Sequence, residues 1–313
     1  MNINKPKFWD KKIGIISIIL LPLSLVFILL IFLKKKLTKE NVFKIPIICI
    51  GNIYLGGTGK TPVSIFLAKE LSRLGKKPAI LRKYYKNHND EYNLIKDKFH
   101  NLVICKNRID GLEKIDKSES DIAILDDGLQ DYSIKKNLKV ICFNNNQKIG
   151  NGLLLPSGPL RENLNVLKET EIVIINGNRD KKFEQKILDV NKKIDIFYST
   201  YKPININQFK NKKLLALAGI GNPENFFKLI EDNNLKIEKK LIFPDHYKFS
   251  KPEIQNIIDF SKKKNYEIIM TEKDYFKIKG LNIIEVNYLK ISLEIDKKEV
   301  LLEKIKKLYD KNN

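Results

Sequence analysis

The chain opens on a stretch in which almost every position is apolar. From Ile13 to Leu33 only Gly14, Ser17, Pro22 and Ser24 interrupt a run of Ile, Leu, Val and Phe. With no polar face, the pattern predicts a helix apolar on all sides rather than one lying flat in an interface. At 1.5 Å per residue it reaches about 31 Å, close to the hydrocarbon thickness of a bilayer. Its strongly apolar side chains favour insertion by roughly 5 to 10 kcal/mol. Lys34-Lys35-Lys36 follows directly, and no small-residue cleavage site of a signal peptide is present. Residues 1–39 are therefore expected to be a membrane anchor helix.

Beyond the anchor, short apolar runs alternate with helical spacing. Ile45 to Ile50 reads as a buried strand. Pro62 to Leu74 reads as a helix whose apolar residues (Ile65, Leu67, Ala68, Leu71) share a face. Asp121 to Leu125 is again a strand, and Leu214 to Ala218 is followed by a helix over Glu224 to Glu231. This alternation predicts α/β layers around mainly parallel sheets. The expected arrangement is a P-loop NTPase-like α/β/α domain over residues 40–203 and a smaller α/β domain over 204–313. Gly219-Ile220-Gly221 lacks the third glycine of a dinucleotide-binding turn and reads as a tight strand-to-helix connection.

The first strand and helix enclose the sequence Gly51-Asn52-Ile53-Tyr54-Leu55-Gly56-Gly57-Thr58-Gly59-Lys60-Thr61. A strand, a glycine-rich turn, Gly-Lys-Thr and a helix form the layout of a phosphate-binding loop. Glycines let successive N–H groups converge on phosphate oxygens, and the helix N-terminus adds its partial positive charge. The nucleotide-binding set is thus Tyr54, Leu55, Gly56, Gly57, Thr58, Gly59, Lys60 and Thr61. Lys60 is expected at the β- and γ-phosphates of ATP and Thr61 on Mg2+. Tyr54 stands where the usual pattern has its first glycine. The local run resembles instead the variant loop of partitioning-type ATPases, although Leu55 replaces their signature lysine. A membrane-tethered ATPase switch is the competing reading.

About 65 residues downstream, the Asp121 to Leu125 strand ends in Asp126-Asp127-Gly128. An acid at the carboxyl end of a neighbouring parallel strand is placed to hold magnesium. Asp126 and Asp127 are both metal candidates, and the pattern does not choose between them. Phosphoryl transfer to a hydroxyl also needs a group that orients the nucleophile. Among the three histidines, His246 in Phe243-Pro244-Asp245-His246-Tyr247 is the candidate, because His88 and His100 lie in polar, surface-like stretches.

Composition adds little to this picture. Of 313 residues, 43% are hydrophobic and 30% charged, so the chain is globular. Its formal charge of +21 comes without a nucleic-acid-binding motif, and no nucleic acid partner is expected. Cys49, Cys105 and Cys142 each lie in an apolar run with no C-x-x-C pair, so they read as small core residues in a reducing compartment.

Taken in order, the motifs resemble one family, the tetraacyldisaccharide 4′-kinases (lipid A 4′-kinases), from Phe8-Trp9 to about Lys277. The landmarks are Gly51-Asn52, the Gly-Gly-Thr-Gly-Lys-Thr-Pro loop, and Asp126-Asp127-Gly128-Leu129-Gln130. Further on come Gly150 to Glu162 (Gly-Asn-Gly-Leu-Leu-Leu-Pro-Ser-Gly-Pro-Leu-Arg-Glu), Asn176-Gly177, Phe243-Pro244-Asp245-His246 and Thr271-Glu272-Lys273-Asp274. The Gly150 to Glu162 string is the most specific of these. The resemblance implies a kinase that moves the γ-phosphate of ATP to the 4′-hydroxyl of tetraacyldisaccharide 1-phosphate, forming lipid IVA in lipid A (lipopolysaccharide) biosynthesis. It implies catalytic roles for Asp90 and His246 as a dyad that prepares the hydroxyl, and a cleft between two domains that closes on its substrates. The partner implied is the lipid disaccharide, and the basic Lys34 to Lys36, Lys39, Arg108 and Arg161 are expected to hold anionic headgroups of a membrane surface or the substrate's 1-phosphate. No obligate protein partner is evident. The implied location is the bacterial inner membrane, with the catalytic domains on the cytoplasmic face. Two stretches depart from the family: Arg82-Lys83-Tyr84-Tyr85-Lys86 replaces Arg-Gly-Tyr-Gly-Gly, and Asp131 stands where the family has His.

Overall fold

The structure is a computed structural model that describes residues 6–86, 88–245 and 247–310. The chain forms, in order, α1 (Ile15–Ile19), α2 (Leu21–Leu37), β1 (Ile47–Gly51), α3 (Lys60–Arg73), β2 (Pro78–Lys83), α4 (Asn89–Lys98), β3 (Leu102–Cys105) and α5 (Arg108–Asp116). There follow β4 (Ile122–Asp126), β5 (Leu138–Asn144), β6 (Ile172–Asn176), α6 (Lys181–Leu188) and β7 (Asp195–Pro203). The remainder is β8 (Leu214–Ala218), α7 (Pro223–Glu231), β9 (Ile237–Ile242), α8 (Lys251–Lys264), β10 (Glu267–Thr271), α9 (Glu272–Ile278), β11 (Asn287–Leu289), β12 (Ile291–Ile295) and α10 (Lys298–Asp310).

These elements divide into two compact units. Among the described residues, the smaller holds Tyr85–His100 and Tyr201–Glu294, and the larger holds the rest. Helix α4 is thus counted with the smaller unit and α10 with the larger. The larger unit is built on a sheet in which β7-β6-β5-β1-β4-β2-β3 are neighbours. From β7 to β3 every adjacent pair is parallel. Covered on both faces, such strands must be apolar at every position rather than at alternate ones. Ile47, Ile48, Cys49 and Ile50 of β1 are accordingly all fully buried. Cys49, Cys105 and Cys142 are free and buried in this sheet's strands, as their surroundings predict. The smaller unit has its own parallel sheet, ordered β11-β10-β8-β9.

Strand order in the larger sheet reverses at β1, which has β4 on one side and β5 on the other. Connections leaving the carboxyl ends of these strands diverge to opposite faces there, and ligands of open α/β sheets bind in the gap they leave. The glycine-rich loop after β1 and the Asp126-Asp127-Gly128 turn after β4 both emerge at that point.

The N-terminal apolar segment differs from the single helix expected over Ile13 to Leu33. It is broken between α1 and α2 at Leu20, just before Pro22, whose ring lacks the N–H that would continue the ladder. Among the described residues no helix is long and apolar enough to cross a membrane. The serines that interrupt the pattern mark the face that docks on the larger unit. Ser24 Oγ donates to the Leu154 carbonyl at 3.0 Å and lies 2.8 Å from Ser157 Oγ, while Asn151 Nδ2 donates to Ser17 Oγ at 3.2 Å. Phe27 and Ile31 continue that stripe into the core. Ile15, Ile19, Leu25, Leu29 and Phe32, pointing elsewhere, are more than half exposed.

Candidate nucleotide and acceptor sites

The glycine-rich loop is shaped from both ends. Gly59 caps α3 at a φ of 90°, a left-handed backbone that a side chain disfavours, and α3 starts directly at Lys60. The first N–H groups of α3 have no partner inside the helix, so they point into the loop with the positive end of the helix dipole. At the other end, Tyr54 explains why the usual first glycine is absent. Its ring is fully buried, its hydroxyl donates to Asp10 Oδ1 at 2.8 Å, and Asn52 Nδ2 donates to its carbonyl at 2.7 Å. Tyr54 therefore pegs the loop to the N-terminal segment. The Leu55 N–H is committed to the Pro159 carbonyl at 2.8 Å. Gly56, Gly57, Thr58, Gly59, Lys60 and Thr61 make up the rest of the loop.

The string from Gly150 to Glu162 forms the wall against which this loop is set. Gly158 is required there, because a Cβ would lie 2.2 Å from Asn151 Oδ1 and 2.3 Å from the Leu153 carbonyl oxygen. The Arg161 guanidinium donates to Asp127 Oδ1 at 2.8 Å and to the Asn52 carbonyl at 3.1 Å, and Gln130 Nε2 donates to that same carbonyl at 3.1 Å. Three separated sequence landmarks thus meet in one network. The Arg108 guanidinium is buried between Asp131 and the Asp127 carbonyl, which ties down the same turn.

The two aspartates after β4 have different surroundings. Asp126 is fully buried. It accepts from Thr61 Oγ1 at 3.0 Å and from Ser64 Oγ at 3.2 Å, and it is paired with Arg82. Asp127 sits at a φ of 59°, uncommon for a residue with a side chain, and turns toward Lys60 Nζ at 3.7 Å and Arg161. Burial works to raise the Asp127 carboxyl, but the charges of Lys60 and Arg161 outweigh it and hold the group well below the usual carboxylate range. Burial pulls the Lys60 ammonium down, with Asp127 opposing. The Thr61 hydroxyl and the Asp126 carboxylate, hard oxygens at hydrogen-bond distance, suit a magnesium ion that takes its other ligands from phosphate and water. No group of three or more His, Cys, Asp or Glu side chains forms a metal cage among the described residues. The protein alone offers a partial shell that a nucleotide would complete.

The smaller unit holds a second polar cluster. Asp90 lies buried in the first turn of α4, where the helix dipole favours a carboxylate. Lys273 Nζ lies 3.0 Å from Glu91 Oε1, 3.0 Å from Asp245 Oδ1 and 3.9 Å from Asp90 Oδ2. Lys273 is held by the start of α9, where Thr271 accepts from the Asp274 N–H and donates to its carboxylate. One ammonium thus gathers three carboxylates. His246, next to Asp245, lies outside the described residues. His88 is half-buried rather than at the surface, its ring tilted at 37° to that of Tyr85 with centroids 5.0 Å apart, and its Nδ1 lies 3.2 Å from Glu91 Oε2. Sequence reasoning gave no role to Lys273, Arg82 or Ser64. Lys273 stood inside a named landmark, and Arg82 stood at the end of a strand, but neither signal says which carboxylate the side chain meets.

The comparisons with known proteins agree with one another. The family model described as tetraacyldisaccharide-1-P 4′-kinase matches residues 16–310. The tetraacyldisaccharide 4′-kinase of Pelagibacter ubique is 43% identical over 318 aligned residues, covering 100% of both chains. That of Francisella tularensis subsp. novicida is 33% identical, covering 93% of this chain and 99% of its own. That of Rickettsia canadensis is 34% identical, covering 96% of each. Among solved structures, LpxK of Aquifex aeolicus in complex with ATP is similar with a TM-score of 0.74 and 22% identity, covering 94% of this chain and 99% of that one. At that identity the likeness speaks to the fold. None of these is a partitioning ATPase. Matched nearly end to end by the family model and by relatives above 30% identity, this chain belongs to the tetraacyldisaccharide 4′-kinase family.

Proposed function

We propose that the protein transfers the γ-phosphate of ATP to the 4′-hydroxyl of tetraacyldisaccharide 1-phosphate, giving lipid IVA on the route to lipid A. The observation that carries this reading is the convergence of Lys60, Thr61, Asp126 and Asp127 where the strand order reverses, in a chain of this family. Loop N–H groups from Gly56 to Thr61 bind the phosphates, and Lys60 turns from Asp127 to the β- and γ-oxygens. Thr61 and Asp126 would hold a Mg2+ ion, which when bound would supply charge neutralisation for phosphoryl transfer, while Asp127 stays paired with Arg161. Asp90 accepts the proton of the 4′-hydroxyl as its oxygen bonds to phosphorus and the bond to the ADP oxygen breaks. His246 orients that carboxylate, and Lys273 fixes its place among Glu91 and Asp245. Transfer of labelled γ-phosphate to the lipid tests the reading.

We further propose that the protein works on the cytoplasmic face of the bacterial inner membrane, held there by its N-terminal segment. The supporting observation is that α1 and α2 dock through serines and leave Ile15, Ile19, Leu25 and Leu29 exposed, followed by Lys34 to Lys36. Large apolar side chains gain about 1.5 to 3 kcal/mol each on leaving water. The lysines suit anionic headgroups. Changing Leu25 and Leu29 to Glu is expected to release the protein from vesicles containing anionic phospholipid in a flotation assay. Undiminished flotation of that double variant would remove the anchor role from this segment.

A further inference from the structure

Arg82 ends β2 next to the proposed metal ligands. The β2–β4 register sets it beside Asp126. Its buried guanidinium donates through Nη1 to Thr61 Oγ1 at 2.9 Å and to Asp126 Oδ2. Those two oxygens are 3.0 Å apart, with the threonine hydroxyl donating to the carboxylate. A magnesium ion would need oxygens of the same two groups at about 2.0–2.1 Å. The guanidinium already places a permanent positive charge on them, because an arginine does not lose its proton in a protein.

We propose that Arg82 is a built-in competitor for the divalent cation. It keeps Thr61 and Asp126 together in the nucleotide-free protein, and it withdraws from both when the cation enters with the triphosphate. The inference rests on the proposed metal role of Thr61 and Asp126 and extends it to a residue outside the loop and the aspartate pair. Two features favour competition over a purely structural tie. Nη1 contacts both candidate ligands at once, so a single side-chain movement frees both. Asp126 also keeps an independent donor in Ser64 Oγ at 3.2 Å on its other oxygen, Oδ1, so its position does not depend on Arg82 alone.

The test is a titration with Mn2+, followed by electron paramagnetic resonance, in the presence of a non-hydrolysable ATP analogue. The proteins are the full chain, Arg82→Gln, Arg82→Lys and Asp126→Asn. Arg82→Gln is expected to bind Mn2+ about tenfold more tightly, within the usual range of coupling between linked equilibria. Arg82→Lys, whose ammonium lacks the guanidinium fork, should move in the same direction by a smaller factor and serves if the glutamine variant fails to fold. Unchanged or weaker Mn2+ binding in the folded arginine variants would overturn the proposal. Asp126→Asn separates the two claims. Weaker binding there supports the metal role of Asp126, and unchanged binding would overturn that role together with the competition built on it.

Discussion

Asp90→Asn is expected to lower turnover by about 100- to 10,000-fold, the range over which a positioned proton acceptor contributes. Asparagine keeps the size of the side chain and its place in the first turn of α4, but it cannot take the hydroxyl proton. Lys273 retains Glu91 and Asp245 at 3.0 Å each, so the surrounding cluster is expected to keep its shape. ATP affinity should change little, because the groups that hold the phosphates belong to the glycine-rich loop and its aspartates. Steady-state kinetics with an independent ATP-binding measurement separates the two effects. Full turnover in the variant would remove Asp90 from the chemistry.

Lys60→Ala is the second large expected effect. Its ammonium is the positive group aimed at the loop from the first position of α3, and burial has already stripped it of much water. Pre-desolvated donors of this kind commonly contribute about 100- to 1,000-fold to rate when they meet developing charge. Turnover is expected to fall by that factor, with weaker ATP binding, while Arg161 continues to hold Asp127 in place. A variant with unaltered ATP affinity and unaltered rate would contradict the assignment of the loop.

Much of this was legible in the sequence for identifiable reasons. Parallel strands buried on both faces give unbroken apolar runs, so β1, β4 and β8 could be bounded to within a residue or two. The loop was legible because Gly59 must adopt a left-handed backbone just where a helix begins. Tyr54 was not, because a local pattern cannot show that its ring is held in the core by Asp10, 44 positions away. Ser17 and Ser24 looked like interruptions of an apolar helix, yet they form its docking face. The break before Pro22 was signalled by the proline itself, while hydropathy alone favoured one continuous helix. Lys273 and Arg82 were silent because their meaning lies in partners from other segments: Glu91 is 182 positions from Lys273, and Asp126 is 44 from Arg82. The landmark string ending in Arg161 was recognisable long before its purpose was. Only the fold brings it to Asn52 and Asp127.

The central claim is that the terminal phosphate of ATP passes to the 4′-oxygen of a disaccharide lipid. Incubation of the purified protein with γ-labelled ATP, magnesium and tetraacyldisaccharide 1-phosphate, followed by locating the label on the sugar, tests it most directly. The account predicts label in the lipid, on the 4′-oxygen. Label at another position, or release of inorganic phosphate with none in the lipid, would contradict it.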